Sequence, residues 1–364
     1  MRSEANALER KLVARVKREG RITFCEFMRA ALYDTELGYY NTERLKIGAA
    51  GDYYTSSNVH PAFGAVLARA FAQLWNELSG ERLLTIVEMG AGTGQLAFDV
   101  MSAMRDEHAP VFDSLSYVIV ESSPAMRRRQ QERLAGFGER VRWQTLARIE
   151  RAPISGIFFS NELVDAMPVH QILFTKGRIQ ERHVIAQAER LALVWDEPSS
   201  PDLIDYVERA GVNFAEGQII EINLEASVWL DSLSRAIKRG FLVTIDYGDT
   251  SAHLYGPDRA GGTLRSFYRH TLVDSPLDRI GEQDITASVN FTALIESGRD
   301  FGFETVSYER QTSFLIRNGL IERIAASASD TVNDLNERLA VKNLFVPGGA
   351  SDNFRVLIQK KLTA

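Results

Sequence analysis

A single cysteine, Cys25, stands among 364 residues. It excludes an internal disulfide and any cysteine-built zinc site, and no metal is expected. No apolar run approaches the length that spans a bilayer, so membrane insertion is not expected either. There is no basic excess: 42 lysines and arginines against 48 acids leave a net charge of -6. No basic, aromatic-interleaved stripe is present, which argues against a nucleic-acid partner. The N-terminus has no apolar leader core. Arg2, Glu4, Glu9, Arg10 and Lys11 punctuate it, and a transit peptide is poor in acids, so the expected location is the cytoplasm. Repeats and low-complexity tracts are absent. What remains is a chain for one large domain or two modest ones, with 45% hydrophobic and 25% charged residues, as in ordinary soluble enzymes.

The N-terminal third is periodic. Ala5, Leu8, Leu12 and Val16 recur at helical spacing, and Thr23 with Glu26 forms a capping box before a second helix. The loop Gly51-Asp52-Tyr53-Tyr54-Thr55-Ser56-Ser57-Asn58 combines paired tyrosines, a threonine and an acid, which suits a pocket wall. It equally suits a surface loop with Asn58 as an N-cap. From Val59 to Leu78 apolar residues return every three or four positions, and Gly80 stops the run. Residues 1–80 are therefore predicted to be a helical cover on a domain spanning 81–364.

The stretch that organises the chain follows. Leu83 to Met89 reads as a buried strand containing Glu88, and Gly90, Gly92 and Gly94 then punctuate a tight turn into a helix. Glycines there let the chain turn sharply and let a ligand approach the backbone; a purely structural turn is the alternative. Tyr117 to Glu121 is a second strand ending in an acid, roughly 25–30 residues past the last glycine, near where nucleotide folds place a ribose-binding carboxylate. A solvated strand-end charge is the alternative for Glu121. Arg127, Arg128 and Arg129 read as a solvated helix face. A third strand ends at Gln144, and a fourth, Gly156 to Ser160, runs into Asn161-Glu162-Leu163-Val164-Asp165. Two acids three residues apart after a central strand can converge on one site, or simply favour a helix start. Residues 169–196 read as an antiparallel meander inserted at about 169–215. Phe241 to Asp246 is a fifth core strand, Gln283-Asp284-Ile285-Thr286 a polar loop, and Phe303 to Ser307 and Phe354 to Gln359 the last strands.

Taken together and in order, several motifs carry a resemblance. They are Gly51-Asp52 with Thr55, Glu88-x-Gly90-x-Gly92-x-Gly94, Val120-Glu121-x-Ser123, Asn161-Glu162-x-x-Asp165-Ala166-x-Pro168, Asp246-Tyr247-Gly248, Tyr268-x-His270 and Asp284-Ile285-Thr286-Ala287. The chain resembles the MidA-like methyltransferases that use S-adenosylmethionine, a family that includes the mitochondrial complex I assembly methyltransferase. The resemblance implies an α/β fold of the class I methyltransferase type, a Rossmann-like doubly wound seven-stranded sheet with an inserted β region. It implies cofactor contacts from Glu88, Gly90, Gly92, Gly94, Glu121, Ser122, Gln144 and Asn161. It implies substrate contacts from Asp52, Tyr54, Thr55, Asn58 and Asp284, with Glu162, Asp165 and His270 at the reaction centre. The implied substrate is a protein arginine, as on a core respiratory subunit, and a homodimer is compatible. Ser57-Asn58 stands where many members have Pro-Glu, and Ser288 where many have histidine, so substrate choice can differ.

The residue types suit that chemistry. Methyl transfer from a sulfonium is an in-line displacement and depends on positioning. Two carboxylates can hold a guanidinium by forked hydrogen bonds, which makes Glu162 and Asp165 the expected clamp. His270 is a candidate proton acceptor, with a structural role as the alternative. The competing readings are a methyltransferase of small molecules or RNA and a non-catalytic assembly factor that keeps the cofactor fold.

Overall fold

The computed structural model describes residues 5–42, 60–78, 83–269, 271–326 and 353–362. Among the described residues three α-helices precede the first long strand. In α1 (Ala7–Glu19) the Asn6 side chain accepts the Glu9 amide, and α2 (Phe24–Tyr33) opens on the Thr23–Glu26 capping box. In α3 (Pro61–Glu77) the His60 ring accepts the Ala62 amide. That cap is His60 rather than the expected Asn58, because Pro61 is preorganised for the first helical position. Asn58 itself lies outside the described residues.

Seven strands make the path of the main sheet. They are β1 (Leu84–Met89), β2 (Leu115–Val120), β3 (Val141–Trp143), β4 (Ile154–Asn161), β5 (Ile237–Asp249), β6 (Glu304–Arg310) and β7 (Phe354–Lys361). Their spatial order is β3-β2-β1-β4-β5-β7-β6, and a short eighth strand, Val289–Asn290, pairs with the end of β5. The first five are parallel; β7 runs antiparallel to both β5 and β6. Buried parallel strands must be apolar on both faces, which is why β1, β2 and β4 read as continuous hydrophobic runs. Chain order reverses between β1 and β4. Ligands of open α/β sheets sit at such a switch point, outside the carboxyl ends of the strands. Two apolar layers cover the sheet. One holds α3 and α4 (Gln95–Glu107), with Phe63, Phe71, Leu96 and Val100 against Ile86 and Phe159; the other holds the helices Leu224–Ala236 and Phe291–Asp300.

The inserted region is a separate antiparallel sheet. His170–Thr175, Arg178–Gln187 and Arg190–Asp196 form the meander; Ile219–Ile222 pairs with its first strand, and Ile22–Thr23 pairs with its middle strand at His183 and Val184. Helices α1 and α2 pack here rather than on the main sheet: Leu8, Leu12 and Phe27 share a core with Val184, Leu191 and Ile285. The segment expected as a polar loop at Gln283–Thr286 is instead a strand, Asp284–Thr286, paired with Arg265–Tyr268. Its polar side chains disguised it, because Asp284 and Thr286 face a cavity and not a hydrophobic core.

Candidate active site

A cavity of about 280 Å³ lies at the carboxyl ends of β1, β2 and β4. The glycine turn forms its floor, with Gly90, Gly92 and Gly94 at φ 70°, 52° and 77°. Side chains rarely adopt these values, and a Cβ on Gly94 would stand 3.2 Å from Gln130 Cγ, so the turn requires glycine twice over. Gly90 and Gly92 line the cavity, whereas Gly94 packs behind it. Glu88 also reaches the wall. It is buried, accepts the Tyr117 hydroxyl at 2.7 Å, and has its carboxyl pushed up to about 8 by desolvation.

Glu121 and Ser122 form the next part of the wall. Glu121 Oε1 accepts the Ser123 amide at 2.8 Å and Oε2 accepts Gln130 Nε2 at 2.9 Å; burial raises its carboxyl in spite of those bonds. The same Gln130 nitrogen donates to the Gly92 carbonyl at 2.8 Å, while its oxygen accepts the Trp143 indole at 2.9 Å. Gln130 therefore ties the glycine turn to the strand-end acid. Sequence reasoning missed it behind three arginines. The available signal was the spacing of Met126, Gln130 and Leu134, which share the buried face of the helix Pro124–Leu134. Gln144 does not line the cavity; Leu146, two residues on, does.

Asn161 and Glu162 close the far side. Asn161 Nδ2 donates to Glu162 Oε1 at 3.1 Å, and its Oδ1 is buried with no partner among the described residues. Glu162 adopts φ 53°, a left-handed conformation uncommon for a side-chain-bearing residue. Two contacts with β5 hold it there. The Glu162 amide donates to the Ile245 carbonyl at 2.9 Å, and Asp246 Oδ2 accepts the amides of Leu163, Val164 and Asp165 at 3.2, 2.9 and 3.3 Å. Burial pushes the Asp246 carboxyl up to about 7 against the pull of those amides.

A second cavity, about 680 Å³, adjoins the first and shares Tyr40 and Glu162 with it. Asp165, Asp284, Tyr247, Thr286 and Ser288 line it. Asp165 is buried, and its Oδ1 has no hydrogen-bond partner among the described residues. Desolvation, followed by the charges of Asp246, Asp284 and Glu162, drives its carboxyl well above the usual range. Tyr33 and Tyr40 stack at 5.4 Å and reach the site from the N-terminal segment, Tyr33 through a 2.9 Å bond to the Ala166 carbonyl. Neither tyrosine was singled out as a site residue in the sequence. Asp52, Tyr54, Thr55, Asn58 and His270 lie outside the described residues.

A positive-φ glycine turn, a strand-end carboxylate and an orphaned buried amide oxygen surround one cavity at the switch point of an α/β sheet, a candidate nucleotide-cofactor site next to an acid-lined chamber. Residues 66–308 match the family model described as "Putative S-adenosyl-L-methionine-dependent methyltransferase", and the chain belongs to that family. It is an enzyme of the S-adenosylmethionine-dependent methyltransferase type. A structure from Burkholderia thailandensis bound to S-adenosyl-homocysteine superposes with a TM-score of 0.88 at 29% identity, covering 98% of this chain and 92% of that one. The mitochondrial protein arginine methyltransferase NDUFAF7 of Danio rerio is 26% identical over 79% of this chain and 71% of its own. The Homo sapiens protein of that name is 26% identical over 78% and 67%. These relatives overturn the cytoplasmic location expected from the N-terminal composition, because they are mitochondrial proteins. Among the described residues no helix is long and apolar enough to cross a membrane.

Proposed function

We propose that the chain is a protein arginine N-methyltransferase, with S-adenosylmethionine in the smaller cavity and a substrate arginine in the larger. The observation that carries this reading is the shared wall. Glu162 borders both cavities, and Asp165 and Asp284 line the larger one with it. The strand order, with one reversed strand inside the edge, supports a doubly wound class I methyltransferase sheet within a catalytic domain of about 81–364. In this reading α1 and α2 join the insertion at about 169–215 as a cover over the site.

When bound, the cofactor supplies a methyl group on a positively charged sulfur that leaves as a neutral thioether. Gly90, Gly92 and the Asn161 Oδ1 would hold its amino-acid part, and Glu121 its ribose hydroxyls. The unpartnered Asn161 oxygen fits an ammonium donor. Asp165, Asp246 and Asp284 repel one another when ionised. A guanidinium relieves that repulsion and returns Asp165 to its carboxylate form. Glu162 and Asp165 then fix the guanidinium plane by charge-assisted bonds. As the attacking nitrogen gains the methyl carbon, its proton passes to Asp165 Oδ1.

The test is transfer of labelled methyl from S-adenosylmethionine to proteins of a lysate, with the product residue identified by mass spectrometry. Methylarginine supports the reading, and a subunit of a respiratory complex is the first substrate to examine. Label on RNA or small molecules alone contradicts it. Cofactor binding without any labelled product points to a non-catalytic assembly factor.

A further inference from the structure

The larger cavity carries charge of the opposite sign on part of its wall, and the mechanism above leaves that charge unused. Arg259 and Arg265 both line the cavity and are both exposed. Arg265 opens the strand Arg265–Tyr268, where Ser266 turns to the buried side while Arg265 and Phe267 both line the cavity. That is the alternation a strand imposes. Register sets Phe267 opposite Asp284 and Arg265 opposite Thr286. Along one face the wall therefore runs from a buried acid, past an aromatic ring, to an exposed cation. Arg259 ends the short helix Pro257–Arg259 and brings the second cation, with Asp258 beside it on the same wall.

Exposed arginines are ordinary, and many here are paired. Arg235 holds Glu150 and Asp231, Arg317 holds Glu309, and Arg323 holds Glu107. Arg259 and Arg265 have no ion pair with any described residue. Two such cations beside the path to an acid-lined chamber oppose the entry of a bare guanidinium. The opposition disappears if the substrate brings an anion with its arginine. The ring of Phe267 between the two charges offers a surface for the apolar stem of an arginine side chain or the face of its guanidinium.

We propose that Arg259 and Arg265 read a carboxylate beside the target arginine, so that the preferred substrate segment is an arginine with aspartate or glutamate close to it in the chain. This rests on the arginine methyltransferase reading above and adds the sequence context that reading lacks. The buried acids select the guanidinium, and the exposed arginines select its neighbour. Such rim charges act mainly on encounter and specificity, and salt weakens them.

The experiment uses the full chain, labelled S-adenosylmethionine and three acetylated peptides with one central arginine, flanked by glutamate, alanine or lysine. At low salt kcat/KM is expected to be about tenfold higher with glutamate than with lysine flanks, the scale of two exposed ion pairs. The difference should narrow at high salt. The double charge reversal Arg259→Glu and Arg265→Glu should invert the order of the peptides, with cofactor affinity by calorimetry reporting a folded protein. Equal kcat/KM for all three peptides, or an unchanged order in the double variant, overturns the inference and leaves arginine methylation standing. Absence of methylarginine from every peptide and from a lysate overturns both.

Discussion

The hydroxyl of Tyr40 donates to Asp284 Oδ1 at 2.8 Å. The Tyr40 carbonyl accepts Ser123 Oγ at 2.9 Å, so this one residue ties the segment after Glu121 to an acid of the larger cavity. Hydrogen bonds to charged groups are worth roughly 1.5–3 kcal/mol. Tyr40→Phe is therefore expected to raise KM for the protein substrate about tenfold. The backbone contact to Ser123 survives that change, so cofactor affinity should stay within about twofold. Steady-state kinetics and calorimetry check the split; equal losses in both would mean that the Tyr40 hydroxyl supports the two cavities alike and would contradict a role confined to substrate.

Gln130→Leu keeps the volume near that of glutamine and removes three hydrogen bonds, to Gly92, Glu121 and Trp143. Glu121 then keeps the Ser123 amide but loses its side-chain donor, and the glycine turn loses its tie. Cofactor affinity should fall by about tenfold, read by calorimetry, with the thermal midpoint separating weaker binding from a broken fold. Retained affinity would mean that the turn is held by its own backbone.

Glu121→Ala removes the acceptors assigned to the ribose hydroxyls. Affinity for S-adenosylmethionine should drop by about tenfold or more. A dissociation constant equal to that of the parent protein would take Glu121 out of the cofactor site.

Stability should depend on pH through buried acids. In the folded chain the Glu88 and Asp246 carboxyls lie at about 8 and about 7, above their unfolded values near 4.5 and 3.8. A raised folded value means that the stabilising contribution is full below the unfolded value and is lost as pH rises through the folded one. Glu26, Asp34 and Glu181 shift downward, so their contributions disappear only on acidification. The denaturant midpoint should therefore fall between about pH 5.5 and about pH 8.5, and Asp246→Asn should shrink that fall. A flat midpoint in the parent protein would contradict it.

The main strands and the glycine turn were legible because buried parallel strands are apolar throughout and because three alternate glycines rarely occur otherwise. Glu88, Glu121 and Glu162 could be singled out from their places at or after strand ends. What surrounds them could not. Gln130 follows Arg127, Arg128 and Arg129, and only the helix face it shares with Met126 and Leu134 separates it from them. Asp246 was visible as a strand-end acid, but its hold on the Leu163, Val164 and Asp165 amides joins positions more than 80 residues apart. Tyr33 and Tyr40 come from still farther along the chain, and α1 and α2 gave no local sign that they would pack on the meander. Asp284 and Thr286 broke the pattern expected of a strand because the surface they face is a polar cavity.

Glu162 lines both cavities, and the proposed function has it position the nucleophile without holding the cofactor. Glu162→Gln preserves shape and one acceptor oxygen but discards the charge. The deciding measurement is the rate of labelled methyl transfer to a protein substrate by this variant, beside its affinity for S-adenosylmethionine. Affinity is expected to stay within about twofold of the parent while the rate falls by about a hundredfold, the scale of losing one positioned electrostatic partner. A variant that binds the cofactor normally and methylates at the parent rate would contradict it.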